Sequence, residues 1–285
     1  MNEVSNKDSF VLDANTFAKL HPKEFYRKFL TNNIRPDGRL LKKFRKTSIN
    51  LNSLKSAEGS CVLKMGKTSV VCGIKAEVAE PRVDDPRKGY IVPNVELSPI
   101  CSSIFKPGPP GELAQSISER IDKLFKQCKI IDLDKLCISE KNAVWVLYID
   151  VICLSYDGNI FDAALYSIIS ALKSLKLPEV TFIEEEGKAE ASKEKTISLE
   201  LLSIPLSATY VVFDDKYVLA DPNEEEENLS STSITFIYNE EHKLCGISKL
   251  GGIPLSSELI QDCMSSAIER TDSLRELLES TLQRN

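Results

Sequence analysis

Residues 157–175 constrain the fold more than any other part of the chain. A turn, Asp157-Gly158-Asn159, leads into a run from Phe161 to Leu175 that is apolar on almost every side of a helix. A helix without a polar face must be covered by other elements on all sides. We therefore expect this helix to lie sandwiched inside one large domain or between two packed halves.

The segments on either side of this helix share one layout, in which strands precede a helix. Residues 48–97 alternate in polarity as strands do, and apolar residues recur at helical spacing over 112–128. Val144–Leu154 is almost continuously apolar, which predicts a central strand covered on both faces. Strand-like segments between 196 and 249 precede a long helix from Ser257. The layout is consistent with a duplication, although the residues show no convincing repeat.

Composition divides the chain into four parts. Residues 1–33 form an N-terminal extension, in which Pro22–Leu30 is expected to be a short helix on the outside of the main body. Residues 34–178 form the first half, and 196–285 form the second. The stretch between them, 179–195, is rich in Glu and Lys and is predicted to be a polar, mobile link.

The acidic composition limits the partners of the chain. Of its 285 residues 42% are apolar and 27% charged, and its formal net charge is −6. Because phosphate neutralisation needs clustered Lys and Arg, a free-standing nucleic-acid-binding module is disfavoured. The sequence contains no apolar run of membrane-spanning length and begins without an apolar signal segment. We expect no membrane contact and a location inside the cell.

The cysteines favour buried, reduced thiols. None of the eight forms a Cys-x-x-Cys pair, and several lie in apolar segments. Since the chain has only two histidines, we expect neither a zinc site nor another metal or cofactor.

Two basic stretches are candidate contacts with RNA or with a partner. The first is Arg39–Lys46, for which a solvated loop and strand edge is an equally good interpretation. The second is the excursion 80–89, which carries Arg82, Arg87 and Lys88. Carboxylates are as frequent there as cations, which favours an exposed loop, and both interpretations stay open.

Between Phe25 and Leu278 the chain contains several motifs in fixed order that resemble those of the RNase PH family of phosphorolytic exoribonucleases. They include Arg35-Pro-Asp-Gly-Arg39, Lys88-Gly-Tyr-Ile-Val-Pro-Asn-Val-Glu96, Pro107-Gly-Pro-Pro-Gly-Glu112, Tyr156-Asp-Gly-Asn-Ile160 and Leu219-Ala-Asp-Pro222. The similarity is closer to one branch, the RNase-PH-like subunits of the eukaryotic RNA exosome. It implies an α+β fold, the duplicated βαβ-rich RNase PH fold. Each of its two packed halves is similar to the second domain of ribosomal protein S5.

The resemblance also implies partners and a location. In this branch six RNase-PH-like subunits form a ring, and three RNA-binding proteins of the S1/KH type cap it. RNA threads the central channel toward a hydrolytic nuclease, for rRNA processing and mRNA turnover. The family is expected in the nucleus, with enrichment in the nucleolus, and in the cytoplasm.

The catalytic residues of the family are not all present. Active members hold phosphate with a Gly-Ser/Thr-Arg segment, and the nearest matching stretch, Asp134–Ser139, has Cys137 and no arginine. Active members also carry two aspartates six residues apart. Counted from Asp221, these positions hold Glu227 and Ser233. A hydroxyl cannot replace a carboxylate ligand or base. We therefore predict an inactive protein in which Cys137, Glu227 and Ser233 are degenerate positions.

Two further charged features have competing interpretations. Arg120, on the polar face of the 112–128 helix, lies where the resemblance suggests that non-catalytic subunits reach RNA. A surface ion pair with Glu119 or Asp122 is an equally good interpretation. The run Glu224–Glu227 is predicted to be a solvated loop, because consecutive side chains cannot converge on one metal ion.

Three functions follow from these observations. The favoured one is a structural subunit of a multiprotein ring that helps to form an RNA channel. The alternatives are an active phosphate-dependent 3′-to-5′ exoribonuclease and an RNA-binding module that acts alone.

Overall fold

The computed structural model describes residues 14–183 and 188–284. The helices are α1 (Ala14–Leu20), α2 (Pro22–Leu30), α3 (Glu112–Cys128), α4 (Ile160–Lys173), α5 (Glu224–Leu229) and α6 (Ser257–Leu282). The strands are β1 (Thr47–Leu51), β2 (Gly59–Met65), β3 (Thr68–Ala79), β4 (Tyr90–Glu96), β5 (Cys137–Ser139), β6 (Ala143–Ser155), β7 (Lys176–Ile183), β8 (Lys188–Ser198), β9 (Leu206–Phe213), β10 (Tyr217–Ala220), β11 (Thr232–Tyr238) and β12 (Leu244–Leu250).

Each half is built on its own sheet. The first sheet has the order β1-β2-β3-β6-β4, with β5 paired to β6, and β6 runs antiparallel to β3 and parallel to β4. The second sheet has the order β10-β9-β11-β12 and is antiparallel throughout. Helix α3 packs on β4, and α6 packs on β9 and β11. The predicted α+β class with two packed halves is confirmed.

Helix α4 lies between the two sheets, as its sequence predicts. Every residue from Ile160 to Leu172 is buried, and the helix contacts β2 and β3 on one side and β9 on the other. Its buried hydroxyls are satisfied locally, since Ser167 and Ser170 donate to carbonyl oxygens of the preceding turn. Buried Asp162 accepts hydrogen bonds from Ser207 and Thr209 of β9. One helix therefore joins the cores of both halves.

Strand β6 is covered on only one face over its second half, so the prediction of full coverage is wrong. Its residues are buried from Ala143 to Leu147, but Tyr148, Ile152 and Leu154 on the other face are exposed. Helices α3 and α4 share one core with the buried face. An antiparallel pairing allows the opposite face to remain in water.

Most of the predicted polar link has paired backbone instead. Strands β7 and β8 form an antiparallel hairpin, in which Leu177 pairs with Ile197 and Val180 with Ala191. Residues 184–187 lie outside the described residues. The charged composition suggested mobility, but ladder hydrogen bonds satisfy the backbone whatever the side chains are.

Helix α2 packs on the outside of the second half, as predicted. Tyr26 and Leu30 are buried against Val211 and Phe213 of β9. The Tyr26 hydroxyl donates to Glu225 at 2.9 Å, which ties the helix to α5. Residues 1–13 of the predicted extension lie outside the described residues.

Over residues 14–183 and 188–284, none of the helices combines the length and apolarity needed to cross a bilayer.

Candidate functional site

A cavity of about 260 Å³ lies between the two halves. Helix α3 forms one wall, and the segment from the end of β6 into α4 forms another. The segment from α5 into β11, with one residue each of β9 and β12, completes the lining. The polar residues around it that matter for chemistry are Arg120, Tyr156, Asn159, Glu227 and Ser233. The structure thus brings together three of the residues that the sequence singled out, Arg120, Glu227 and Ser233.

The turn before α4 sets the shape of the cavity. Gly158 and Asn159 both have left-handed backbone angles, with φ of 72° and 51°. A Cβ atom on Gly158 would stand 2.5 Å from the carbonyl carbon of Asn223 and 2.7 Å from the backbone nitrogen of Glu224. Only glycine permits this approach, and it brings the start of α5 against the start of α4.

Helix α5 is short but well capped. The Asn223 side chain accepts a hydrogen bond from the Glu226 backbone at 2.8 Å, and the Glu226 carboxylate accepts one from the Asn223 backbone at 3.0 Å. This capping box fixes the direction of the next residue, Glu227. The predicted solvated loop over Glu224–Glu227 is therefore wrong, because the segment is helical and three of its carboxylates, Glu225, Glu226 and Glu227, have partners in the fold.

Glu227 is bound by groups of the neighbouring turn. Its carboxylate accepts hydrogen bonds from the backbone N–H of Asn159 at 2.8 Å and from the Tyr156 hydroxyl at 3.0 Å. Burial raises the pKa of Glu227 to about 7, and the two hydrogen bonds oppose that rise. Near neutral pH this side chain therefore exchanges between a neutral and a charged form.

Arg120 faces the cavity and does not form the surface ion pair that was one interpretation. Its guanidinium lies 3.8 Å from the centre of the Phe161 ring, in cation–π geometry. Glu119 pairs with Lys123, and Asp122 with Lys126. Burial lowers the pKa of Arg120.

Several buried atoms around the cavity have unused hydrogen-bonding capacity. Within the described residues, Arg120 Nη2, Asn159 Oδ1 and Ser230 Oγ are buried without a partner. Buried polar atoms are normally paired, so Arg120 Nη2 can donate a hydrogen bond to a bound molecule, Asn159 Oδ1 can accept one, and Ser230 Oγ can do either.

Ser233 occupies the position at which the resemblance predicts the second aspartate of active family members. It lies on β11, opposite Val211 of β9 and Leu250 of β12. Among the described residues that line the cavity, Glu227 is the only carboxylate and Arg120 the only cation. No group of three or more His, Cys, Asp or Glu side chains suited to a metal ion occurs in the described part of the chain.

Cys137 lies far from this cavity, so the position predicted for the phosphate segment is wrong. Cys137 pairs with Val144 at one end of β6, whereas Tyr156 follows the other end. Twelve residues of extended strand span about 40 Å. The segment that faces Glu227 is instead 158–161, which opens α4. Backbone N–H groups at a helix start suit an anion, but this segment supplies Phe161 and no arginine.

Arg82, Arg87 and Lys88 lie at the Cys137 end of β6, outside the cavity. Arg87 pairs with Glu140 at 2.9 Å, and Lys88 pairs with Asp85 at 2.8 Å. The guanidinium of Arg82 lies 5.2 Å from the Tyr90 ring centre. All three cations are exposed. They form a second polar surface, remote from the cavity.

A buried network of charges supports the cavity from behind. Asp221 accepts hydrogen bonds from the Arg45 backbone at 2.8 Å and from the Arg45 guanidinium at 2.8 and 2.9 Å. It also accepts one from Asn159 at 2.8 Å. Fully buried Arg35 pairs with Glu226 at 3.3 Å. Three of the sequence motifs therefore meet at one point.

This network also accounts for two cations of the basic run Arg39–Lys46. Arg45 is buried in it, and Arg39 donates to the carbonyl oxygen of Asp221 at 3.0 Å. These two arginines hold the halves together, while Lys42, Lys43 and Lys46 are exposed, so both interpretations of the run stay open for them. Sequence reasoning missed the role because the paired groups stand more than 170 residues apart.

Comparison with known proteins places the chain in a family. A family model for the 3′ exoribonuclease family, domain 1, matches residues 43–178, and domain 2 of the same family matches residues 203–270. The chain belongs to the RNase PH family. The resemblance on which the sequence prediction rested is confirmed. The two matches leave residues 179–202 between them, which hold most of the β7–β8 hairpin.

Relatives within the RNase PH family bear exosome names. The exosome complex component rrp43 of Schizosaccharomyces pombe is 41% identical over 94% of this chain and 98% of that protein. The exosome complex component Rrp42 of Methanothermobacter thermautotrophicus is 35% identical over 89% of this chain and 92% of that protein. Within the exosome branch, the sequence motifs favour the ribosomal RNA-processing protein 43 type. A protein of that type is among the relatives of this RNase PH chain.

Solved structures of exosome chains also match this chain. A chain of the Archaeoglobus fulgidus exosome with RNA bound to the active site matches with a TM-score of 0.79 and 31% identity, over 89% of this chain and 96% of that chain. A chain of an archaeal exosome core matches with a TM-score of 0.76 and 30% identity, over 90% and 96%.

Proposed function

We propose that this RNase PH protein is a non-catalytic, structural subunit of an exosome ring. The exosome names of its relatives and of the matched structures support the ring, because they cover nearly the whole chain. The partners would be other RNase-PH-like subunits in a hexameric ring, with S1/KH proteins capping it. RNA would pass through the shared channel.

The composition of the cavity carries the non-catalytic part of the proposal. Attack of phosphate on RNA brings two anions together, which requires cations, and it requires acidic groups to place a metal ion or a proton. Here the single carboxylate, Glu227, is bonded to Tyr156 and Asn159. Ser233 stands where a second carboxylate is needed, and the one cation of the described lining, Arg120, stacks on Phe161.

Two exposed apolar surfaces support assembly with other subunits. Strand β12 is at the edge of its sheet and pairs with β11 alone among the described strands, and its Leu244, Ile247 and Leu250 are exposed. The open face of β6 adds Tyr148 and Ile152. Unpaired edges and apolar faces favour contact with another protein.

RNA contact is assigned to two places. Arg82, Arg87 and Lys88 form the exposed cationic surface, and Arg120 keeps an unused donor in the cavity. We infer contact rather than cleavage, because the described cavity lining has a single carboxylate, and the carboxylates at the exposed surface, Asp85 and Glu140, are already paired with Lys88 and Arg87. Ultraviolet crosslinking of RNA to the assembled complex, followed by peptide mass spectrometry, tests these positions one by one.

The resemblance to exosome subunits supports a location in the nucleus, with nucleolar enrichment, and in the cytoplasm. Imaging of a tagged copy at its natural expression level tests this, and exclusion from the nucleus would contradict it.

An activity assay and a purification test the two parts of the proposal separately. Purified protein is incubated with single-stranded RNA, Mg²⁺ and phosphate, beside a matched reaction without phosphate. We expect no nucleoside diphosphates in either reaction. Phosphate-dependent release that Glu227→Gln abolishes would establish the alternative, an active exoribonuclease.

The ring is tested by mass spectrometry of chains that co-elute with a tagged copy. We expect RNase-PH-like and S1/KH proteins in stoichiometric amounts. Elution of the chain alone, with RNA retained at physiological salt, would favour an independent RNA-binding module.

A further inference from the structure

Six of the eight cysteines lie in three pairs. Cys61 and Cys72 face each other across β2 and β3. The Cys101 and Cys153 thiols lie beside each other, and they donate to the carbonyl oxygens of Ser98 and Ser155. The third pair joins Cys128, the last residue of α3, to Cys245 of β12. All are free thiols.

The first two pairs are shielded and chemically quiet. All four sulfurs belong to buried residues. Burial raises the pKa of Cys61 to about 12 and the pKa of Cys72 well above its usual value. It also raises the pKa of Cys101 and Cys153. Because the thiolate is the reactive form, these four cysteines resist oxidation.

The third pair differs in exposure and in charge. Cys128 and Cys245 are only half-buried. A hydrogen bond from Cys128 lowers the pKa of Cys245, and the nearby Arg275 acts in the same direction, while burial and Glu240 oppose them. The same hydrogen bond, together with burial, raises the pKa of Cys128, so Cys245 is the thiol of the pair that ionises first. A partly exposed thiol with a lowered pKa and a second thiol beside it is the arrangement that oxidants attack first.

The pair also connects the two halves of the molecule. Cys128 belongs to the first half and Cys245 to the second, and α3 packs directly against β12. Both side chains pack on the edge of the main core. A bond here would close a loop of more than a hundred residues, which restricts the unfolded chain strongly.

We propose that Cys128 and Cys245 are a redox site, at which the two thiols close to a disulfide on reaction with a peroxide. The Cys245 thiolate attacks one peroxide oxygen, which forms a sulfenic acid and releases hydroxide that is protonated to water. The Cys128 sulfur then displaces the sulfenic hydroxyl as a second water. Two thiols lose two electrons in total, and one hydrogen peroxide is reduced to two waters.

The disulfide fastens two walls of the cavity to each other. Arg120 lies eight residues before Cys128 on the same helix, about 12 Å along its axis. The other end of β12 reaches the cavity at Leu250. Oxidation therefore fixes the helix that carries Arg120 relative to the strand pair that carries Ser233.

The test treats the full-length protein, alone or in the complex with which it co-purifies, with hydrogen peroxide in slight excess. Free thiols are then alkylated, and the digest is examined without reduction. We expect one linked peptide pair, Cys128 with Cys245, which dithiothreitol releases. The midpoint of thermal unfolding should rise by roughly 5–10 °C on oxidation and return on reduction.

Cys128→Ser and Cys245→Ser should each abolish both the linked peptide and the shift, whereas Cys137→Ser should keep both. Cys137 is the matched control, since it is half-buried and outside the three pairs. Reduced variants that unfold near the wild-type midpoint show that folding is intact. The proposal is overturned if wild-type protein gives no linked peptide. It is equally overturned if Cys245 is oxidised to the sulfinic acid while Cys128 remains a free thiol that the reagent alkylates. Formation of a Cys61–Cys72 disulfide before the Cys128–Cys245 disulfide would also overturn it.

Discussion

Asp221 accepts hydrogen bonds from the backbone N–H and from the guanidinium of Arg45, at 2.8 to 2.9 Å, and both side chains are buried. The two residues come from opposite halves of the chain. Arg45 holds the pKa of Asp221 below its usual range despite burial. The pair is therefore ionised inside the fold, and its partners are needed to offset the loss of water.

Replacement of Asp221 by asparagine should lower the free energy of unfolding by about 3 kcal/mol, because buried Arg45 would then keep only Asp157, 3.4 Å away, as a counter-charge. Asparagine tolerates the left-handed backbone at this position, where φ is 50°, so the charge is the main change. Urea unfolding at neutral pH measures the loss. Asp215→Asn is the matched control, since Asp215 has a φ of 56° and is exposed. Equal effects at both positions would contradict the role of the buried pair.

Stability should depend on pH through Glu227. Its folded pKa is raised to about 7, so between about pH 4.5 and 7 the folded state keeps a proton that the unfolded chain has lost. Stability therefore falls as pH rises through this window. Glu227→Gln imitates the protonated form and should match wild type below about pH 4.5. Above pH 7 it should exceed wild type by about 2 kcal/mol, after allowance for solvent at the cavity mouth.

Denaturant unfolding of both proteins from about pH 4 to 8 measures this divergence. Glu224→Gln, on the same helix, is the control and should follow the wild-type curve. Parallel curves for wild type and Glu227→Gln would show that Glu227 does not hold the proton.

Gly158→Ala should be severely destabilising, by about 3 kcal/mol or more, because the new methyl group would meet backbone atoms that cannot move aside. Gly38→Ala is the control, since φ there is also positive, at 83°, but the space is open. It should cost only about 1 kcal/mol. Thermal unfolding of both variants distinguishes steric conflict from backbone strain, and similar losses would exclude the close contact with α5.

Ile247→Lys should reduce self-association of the isolated chain without weakening its fold. Ile247 is 51% exposed on the edge strand β12, and charges on edge strands oppose pairing with another chain. Light scattering coupled to size-exclusion chromatography measures the mass. Val83→Lys, at a loop position that is 98% exposed, is the control and should behave as wild type. The variant should also co-purify less ring protein, and unchanged recovery would place the interface elsewhere.

Elements that follow from local pattern could be predicted from the sequence. Helix α4 is an example, because its apolar run leaves no face for solvent. Helix α3 is another, since Ile117, Ile121 and Leu124 recur at helical spacing and are buried. The positions of Glu227 and Ser233 followed from spacing within the family motif, and both do line the cavity.

Features that depend on distant partners could not be predicted. Arg45 and Glu226 read as solvated charges, because the sequence does not show which groups meet across the two halves. The open face of β6 was hidden, since exposed Ile152 and Leu154 read as core residues in an apolar run. Cys137 was misplaced because a short match ignores the length of the strand that separates it from the cavity.

Strand β6 is a rigid spacer of thirteen residues, hydrogen-bonded to neighbours on both sides. It keeps the cationic loop at one end and the cavity at the other a fixed distance apart. Changes at such distant sites combine additively in their effect on stability. Substitutions can therefore remove catalytic groups at one end of β6 while the contacts at its other end are kept, and the strand between them need not change.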